Sequence, residues 1–508
     1  MEIIKILEKQ YKLHRATEEN QTKLSFEWIP GKFTTIAEEP CGWSVVKFSA
    51  EDGREIPVGI WNEQEQFITD TGQMLTQISS RKFRVKNFVP SMQLKPIIQD
   101  DYTSARYKSS IMEFPDDVQR FWQNKDLITS VTNNKELNIN DNMKVPLFRI
   151  KSINIIRGVP GSGKSTFCRE LCKKHQNEKI LYTAPNHQQV SNFSRKLIEQ
   201  TIDFTVLSEE SRLETDLRKY HNANQPDFNE KIKNQILPSA KVTLSTSTKP
   251  IKNLRSAGIT ILIIDEATRV SLIDAITLVR KMPELKVIIL CGDSKQLGAR
   301  IGNHKVLDIF RYAMNQNVTR FFLPYQYRFG QGTNDIISTV FYKGKMKHKL
   351  KNRKSEIHFV IIKDCLCDSL IGCDREVEAV RKLIEIIPDV KDIGIITPYL
   401  DQVSKLESIQ EFRDSVTSID TCQGAEYQNS LVSIARHKGL GFIDKARLNV
   451  ALTRARENTV VIVNKNVLAT SKDLAKLYEN AVKRNLVIEL DHGPSKFCKG
   501  PNDNKEMV

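Results

Sequence analysis

The chain has 508 residues, too many for one hydrophobic core and enough for roughly three domains of about 150 residues each. Its 76 Lys and Arg against 61 Asp and Glu give a formal net charge of +15, which favours a polyanionic partner, nucleic acid above all, and says little about fold. Nine cysteines without a paired framework, and no apolar run near the ~18 residues of a membrane span, weigh against a disulfide-stapled or membrane protein and predict a soluble one in the cytoplasm.

At the start, Ile3, Leu7 and Tyr11 are spaced four apart and predict an amphipathic helix. From about 22 to 100, short alternating runs broken by Pro, Gly and Asp-Gly predict a small barrel-like β domain. In RKFRVK a strand sets Phe83 and Val85 on one face and Lys82, Arg84 and Lys86 on the other, a basic stripe suited to a phosphate backbone or simply to solvent. Residues 114–133 read as helix again.

Beyond about 150, INIIRG, KILYTA, ITILIID and KVIILCGD, then DIGIITP, SLVSIA and TVVIVN, alternate with helical segments. Short, nearly continuous apolar strands of this kind predict two consecutive parallel-sheet α/β domains joined near 320–330. The polar stretch 207–240 interrupts the first set and predicts a helical insertion; 491–508 predicts a disordered tail. Cys365, Cys367 and Cys373, with His358 upstream, lack a C-x-x-C knuckle or a second ligand pair, which weighs against zinc. Cys168 and Cys172, four apart, predict buried helix packing.

The chemistry begins at INIIRGVPGSGKST, a strand running into G-x-x-x-x-G-K-S and a helix. Gly158, Gly161 and Gly163 let backbone N–H groups curl around phosphates, and the helix N-terminus adds its positive end. Lys164 is placed for the β- and γ-phosphates, Ser165 for Mg²⁺, and Thr166 follows in the same turn. In ITILIIDEAT, Asp265 ends an apolar strand where it can hold Mg²⁺, and Glu266 can orient and deprotonate a water. In VIILCGDSKQL, Gln296 has an amide that can sense the γ-phosphate or that water.

P-loop, DEAT and GDSKQL in this order resemble superfamily 1 helicases, and most closely the RNA-surveillance (Upf-like) family and its viral relatives, over roughly 140–465. The resemblance implies ATP and Mg²⁺ as cofactors, single-stranded nucleic acid (RNA before DNA) as partner and 5′-to-3′ movement. ILYTAPNHQQVSNF resembles a segment whose Pro185 and Asn186 meet nucleic acid, and KVTLSTST gives Thr246 a similar role. LPYQYRFG supplies Tyr327, implied to stack on adenine, and Arg328, implied to contact the γ-phosphate. In GIITPYLDQV, Thr397 and Pro398 correspond to nucleic-acid contacts. VTSIDTCQGAEYQNSLVSIAR places Gln423, Gly424 and Glu426 at the nucleotide and Ser418 at the nucleic acid. RLNVALTRAR (447–456) resembles the last motif nearly residue for residue. Its Arg454 is implied to meet the γ-phosphate, while Arg447 and Arg456 are expected to brace the segment or bind nearby carboxylates.

The implied architecture is two tandem RecA-like parallel-sheet domains preceded by a small β-barrel-like domain on a helical stalk. The stalk helices are 1–20 and 112–136 and the β domain 21–111. The first RecA-like domain is 137–322 with its insertion at about 205–240, the second 323–490, and 491–508 the tail.

Three features depart from the family pattern. Asp141 stands 17 residues before the P-loop, where the family reads adenine with a glutamine. An ionised carboxylate accepts but cannot donate, which predicts weaker discrimination among nucleotides. Residues 1–140 hold only Cys41 and His14, against the Cys/His-rich zinc module with which cellular surveillance and nidovirus helicases begin. The Phe-Gly after Arg328 is similar to helicases of plant-virus movement proteins, the triple-gene-block type, and suggests a viral protein. The rival readings are therefore an RNA-binding NTPase for viral replication or ribonucleoprotein transport, and a DNA helicase. The run KGKMKHKLKNRK (343–354) suits a phosphate-contacting hairpin, a nuclear-import-like patch or a solvated face.

Overall fold

A computed structural model of the chain describes residues 6–7, 9–13, 29–39, 43–50, 66–69, 71, 74–79, 82–90, 93–97, 135–136, 152–207, 213–220, 240–247, 254, 257–301, 304–316, 318–350, 352–362, 373–386, 392–413, 415–436, 439–441 and 443–490. It divides into two compact units, Met1–Pro324 and Tyr325–Val508.

In the first unit, six antiparallel strands close into a barrel in the order β1-β2-β5-β4-β3-β6. They are β1 (Ile29–Glu39), β2 (Trp43–Ala50), β3 (Gln66–Thr69), β4 (Met74–Ser79), β5 (Lys82–Lys86) and β6 (Gln93–Ile97). Val46, Phe48 and Val85 are buried, as alternation requires. The side chains of Lys82, Arg84 and Lys86 lie outside the described residues.

Eight strands form the sheet β10-β11-β9-β12-β13-β8-β16-β7, parallel throughout. They are β7 (Lys135–Glu136), β8 (Ser152–Gly158), β9 (Ile180–Ala184), β10 (Phe204–Leu207), β11 (Val242–Thr246), β12 (Ile261–Ile264), β13 (Val287–Gly292) and β16 (Thr319–Leu323). A short antiparallel pair, β14 (Arg300–Ile301) and β15 (His304–Lys305), lies between β13 and β16 in the chain. Continuous apolar runs suit this sheet because both faces are covered. Leu181, Leu262, Ile264, Ile288 and Leu290 enter one core cluster. Tyr182, Ile261, Ile263, Ile289 and Cys291 enter the other, with Phe167 and Cys168. The helices named below are α1 (Lys164–Lys174), α2 (His187–Ile198), α3 (Leu272–Val279) and α4 (Ile309–Met314).

The second unit has a six-stranded parallel sheet, β21-β20-β22-β23-β19-β24. A small parallel pair, β17 (Tyr325–Gln326) and β18 (Lys347–His348), precedes it. Its strands are β19 (Ile357–Ile362), β20 (Ile393–Thr397), β21 (Val416–Ser418), β22 (Asn429–Ser433), β23 (Thr459–Asn464) and β24 (Val487–Leu490). Helices α5 (Gln331–Tyr342), α6 (Asp374–Ile386), α7 (Leu400–Glu407), α8 (Lys445–Leu452), α9 (Lys465–Leu468) and α10 (Lys472–Lys483) complete it. The mostly parallel-sheet α/β class expected from the strand runs is the one observed.

Some expectations need correction. Lys135–Glu136, assigned to a stalk helix, is strand β7, because β16 has an open edge for it. Residues 204–207, at the front of the expected insertion, are edge strand β10, and Thr215–Tyr220 forms a 3₁₀ helix. Among the described residues of run 343–354 there is no hairpin: after a turn at Lys343 and Gly344, both with positive φ, Lys347–His348 pairs parallel with β17. There Lys347 and Lys349 Nζ each lie 5.3 Å from the Tyr325 ring centroid.

Residues 6–7 and 9–13 are helical. Leu7 is buried in the first-unit core with Ile6 and Tyr11 against it, and Gln10 bridges Leu307 O and the Ile273 amide. Expectations for Ile3, residues 112–134, Asp141, Cys365, Cys367 and the tail 491–508 lie outside the described residues. Among the described residues no helix is long and apolar enough to cross a membrane.

Candidate nucleotide-binding site

In a parallel sheet, ligand chemistry collects at the carboxyl ends of the strands, where loops leave open backbone. β8 ends at Gly158 and the chain turns through Gly161 (φ 66°) and Gly163 (φ 81°), a left-handed path cheap only for glycine. A Cβ on Gly158 would lie 2.3 Å from Ser162 Oγ and 2.8 Å from Lys164 Cγ, so the loop can close only without one. Most helices here begin with a side-chain cap: Asn186 for α2, Ser271 for α3, Asp308 for α4, Asp444 for α8. Helix α1 begins at Gly163 with none, leaving its first N–H groups for an outside acceptor.

Lys164 is buried, and its ammonium donates to Gly158 O at 3.2 Å and Val159 O at 3.3 Å. Among the described residues no carboxylate lies within salt-bridge reach of it. Ser165 Oγ donates to Asp265 Oδ2 at 3.1 Å, joining the first turn of α1 to the end of β12. Asp265 Oδ1 accepts the Glu266 amide at 2.9 Å. Glu266 has φ 47° and ψ 42°, a strained left-handed conformation at the point where the strand stops. Gln296 follows β13; its side chain is buried and Nε2 has no hydrogen-bond partner. An orphaned donor, an uncapped helix start, an ammonium held by carbonyls and a hydroxyl–carboxylate pair fit a nucleoside triphosphate with its divalent cation.

Under α1, Cys168 and Cys291 place their sulfurs 3.4 Å apart. The hydrogen bond between them and burial push the Cys168 thiol well up, and burial pushes Cys172 up to about 12. All three pack as core residues. Cys373 is likewise buried, its thiol raised by burial.

The second unit gathers the other candidates. Gln326, fully buried, accepts from the Arg328 and Phe329 amides and donates to Phe329 O, fixing the turn that carries Tyr327 and Arg328. Burial draws Arg328 down to about 10, with Arg454 adding to the fall and Glu426 opposing it, so the guanidinium stays charged at neutral pH. Arg456 Nε donates to Glu426 Oε1 at 2.5 Å. Gly424, at φ 92°, turns the chain just before this carboxylate.

Arg454 is buried and donates to Val450 O at 2.9 Å, Ala425 O at 3.3 Å and Thr453 Oγ1 at 3.3 Å. Among the described residues no carboxylate pairs with it. Arg447, by contrast, pairs with Asp420 Oδ2 at 2.8 Å. The three arginines of RLNVALTRAR thus have three different situations: Arg447 has its own carboxylate, Arg456 shares Glu426 with Arg328, and Arg454 has none among the described residues.

The nucleic-acid candidates also sit at strand ends. Thr246 closes β11 in register with Ala184, next to Pro185 and Asn186; Thr397 closes β20 in register with Ser418. Asn186 Oδ1 is engaged as the α2 cap, accepting from the Gln189 amide at 2.9 Å. Thr246, Thr397 and Pro398 are buried, and the Ser418 hydroxyl bonds that of Thr421 at 2.7 Å. Gln326, which orients the Arg328 turn, and Tyr182, described below, were not singled out from sequence. A glutamine set between two tyrosines, Tyr325 and Tyr327, was the available sequence signal for Gln326.

This arrangement defines a P-loop nucleotide site of the α/β class. AAA domain families match residues 147–358 and 372–466, together more than half of the chain. The chain is 24% identical over 430 residues to "ATP-dependent helicase upf1" of Schizosaccharomyces pombe, covering 67% of this chain and 46% of that protein. It is 25% identical to "Regulator of nonsense transcripts 1 homolog" of Neurospora crassa (66% of this chain, 38% of that protein). It is also 25% identical to "DNA replication ATP-dependent helicase/nuclease DNA2" of Gallus gallus (74% and 41%). The chain therefore spans less than half the length of each of these relatives. Together with the ordered motifs, these matches support a superfamily 1 helicase of the Upf1-like family.

Proposed function

We propose that the chain is an NTP-hydrolysing motor that uses ATP and Mg²⁺ to move 5′ to 3′ along single-stranded nucleic acid, RNA in preference to DNA, unwinding duplexes or remodelling ribonucleoprotein. One observation carries this reading: two buried cations, Lys164 and Arg454, each held by carbonyl or hydroxyl oxygens with no carboxylate within salt-bridge reach among the described residues. Buried charge without a counter-ion is costly, so each position is explained by an anion that arrives from outside. The nucleotide's phosphates are that anion at Lys164, and the resemblance to superfamily 1 helicases implies the same anion for Arg454.

In this reading Lys164, the open N–H groups of α1 and the loop amides receive the phosphates, and Ser165 and Asp265 hold the divalent cation. Bound Mg²⁺ would neutralise phosphate charge and orient the triphosphate. Glu266 takes a proton from the attacking water and Gln296 Nε2 donates to that water or to the γ-phosphate. Arg328 and Arg454 stabilise charge on the transferred phosphoryl group, a role worth ~10³–10⁵ in rate. Tyr327 stacks on the base. Pro185, Asn186, Thr246, Thr397, Pro398 and Ser418 line the strand track. The preference for RNA draws on the resemblance to the RNA-surveillance helicases; the similarity to a DNA replication helicase/nuclease makes DNA the necessary control.

The test is ATP hydrolysis with and without RNA, then unwinding of RNA and DNA duplexes bearing 5′ or 3′ overhangs, with Lys164→Ala as the blank. Hydrolysis no higher than the blank would overturn the motor reading. RNA-stimulated hydrolysis without strand separation on either overhang would replace it with a ribonucleoprotein-remodelling NTPase.

A further inference from the structure

Tyr182 lies in β9 on the face shared with α1 and is buried. Its ring stacks on Phe193 of α2, with centroids 3.7 Å apart and planes 6° from parallel. A phenol in such surroundings must place its hydroxyl on an acceptor, since an unpaired buried donor is costly. The acceptor is Asp265: Tyr182 OH donates to Oδ2 at 2.9 Å.

Asp265 Oδ2 therefore accepts two hydroxyls, from Ser165 and Tyr182, while Oδ1 accepts a backbone amide. The two hydroxyls differ in what they can serve. A hydroxyl has one proton and two lone pairs, so Ser165 can keep its proton on Asp265 while its oxygen faces a cation. The Tyr182 hydroxyl comes from a ring buried in the core and serves Asp265.

We propose that Tyr182 is a positioning residue for the divalent-cation site: its hydroxyl, donating to Asp265 Oδ2, fixes the orientation in which that carboxylate meets the cation. The inference rests on reading the P-loop as an NTP site and gives a role to a residue that the motif readings leave without one. Tyr182 itself touches neither nucleotide nor metal and acts through Asp265.

The test uses the full chain and Mn²⁺ as a paramagnetic probe, titrated in the presence of ADP and followed by electron paramagnetic resonance. Tyr182→Phe keeps the ring stack and deletes one hydroxyl. It should weaken Mn²⁺ binding about tenfold, the scale of one hydrogen bond to a charged group. Affinity for ADP in EDTA should stay within about twofold, a split that a packing defect would not produce. Phe193→Leu, which disturbs the stack but keeps the hydroxyl, should retain most of the Mn²⁺ affinity. Unchanged Mn²⁺ binding in Tyr182→Phe would overturn the proposal and leave the nucleotide-site reading intact. Equal losses of Mn²⁺ and metal-free ADP binding, or an equal Mn²⁺ loss in Phe193→Leu, would assign Tyr182 to packing and also overturn it. A wild-type chain that binds no ADP would overturn both readings.

Discussion

The Arg328 guanidinium is seated on Glu426, with Nε and Nη2 3.1 and 3.0 Å from Oε2, while Nη1 donates to Thr453 O at 2.6 Å. Arg456 occupies the other carboxylate oxygen, so one acid is shared by two guanidiniums and the trio keeps a net positive charge. Burial alone would push the Glu426 carboxyl up, but Arg328 and then Arg456 bring it down to about 2. A depressed carboxyl contributes stability above its unfolded value near 4.5, and loses it as pH falls toward 2.

Glu426→Gln should therefore lower kcat for ATP roughly 10–100-fold, because Arg328 loses the partner that aims it. In the wild type, part of the stability should disappear between pH 4.5 and 2. The variant should lack that component. Steady-state hydrolysis at pH 7 and melting curves down the acid range check both, and an unchanged kcat would remove Glu426 from the positioning of Arg328.

Arg454 and Arg447 are one turn-pair apart in sequence and should behave oppositely. Arg454→Ala should lower kcat about 10³-fold or more, with melting temperature held or raised, since an uncompensated buried cation is removed. Arg447→Ala breaks the Asp420 pair and should cost about 2 kcal/mol of stability with a much smaller effect on kcat. Denaturant unfolding set beside kinetics separates the two; equal stability losses would refute the contrast.

Glu376 is a third charge in an unusual place. It is buried on α6 and accepts from Ser433 Oγ at 2.6 Å and the Ala435 amide at 2.8 Å, where Ala435 itself has φ 52°. Burial raises its carboxyl from 4.5 to about 7, against those hydrogen bonds. A raised carboxyl binds its proton more tightly when folded, so its stabilising contribution is full below pH 4.5 and is lost as pH rises through 7. The loss is up to about 3 kcal/mol well above pH 7. Glu376→Gln should flatten the fall in stability between about pH 4.5 and 7, measured by chemical denaturation; an unaltered slope would exclude Glu376 as its source.

Asn186 has a local duty whatever else it contacts. Asn186→Ala should cost about 1 kcal/mol as a lost cap, and Asn186→Ser should restore most of it. Asn186→Asp keeps the cap acceptor and adds charge. It should leave stability unchanged yet weaken RNA binding several-fold if phosphate passes nearby. Fluorescence anisotropy with a single-stranded RNA reads the difference, and no change in affinity would remove Asn186 from the track.

Much of the fold is legible where the signal is local. ILII, VIILC and TVVIVN bury both faces and read as parallel strands without help. Lys135–Glu136 has no strand signature; it pairs because β16 presents an open edge. Phe204–Leu207 lies beside a polar stretch, and its place at the other edge is set by β11.

The P-loop is the clearest case of what sequence determines alone. Three glycines, a lysine and a serine within a few residues dictate a left-handed turn, an uncapped helix start and a caged ammonium, all short-range matters of φ, sterics and backbone hydrogen bonds. RLNVALTRAR is the opposite case. Its three arginines look alike in sequence, and the tertiary structure gave one to Asp420, one to Glu426 and left one without a carboxylate among the described residues. Tyr182 likewise looks like a core aromatic until β9 and β12 lie side by side and bring its hydroxyl to Asp265. Such pairings depend on charges and donors brought together from distant points of the chain, where the Coulomb and hydrogen-bond terms are decided by ångströms that no local pattern records.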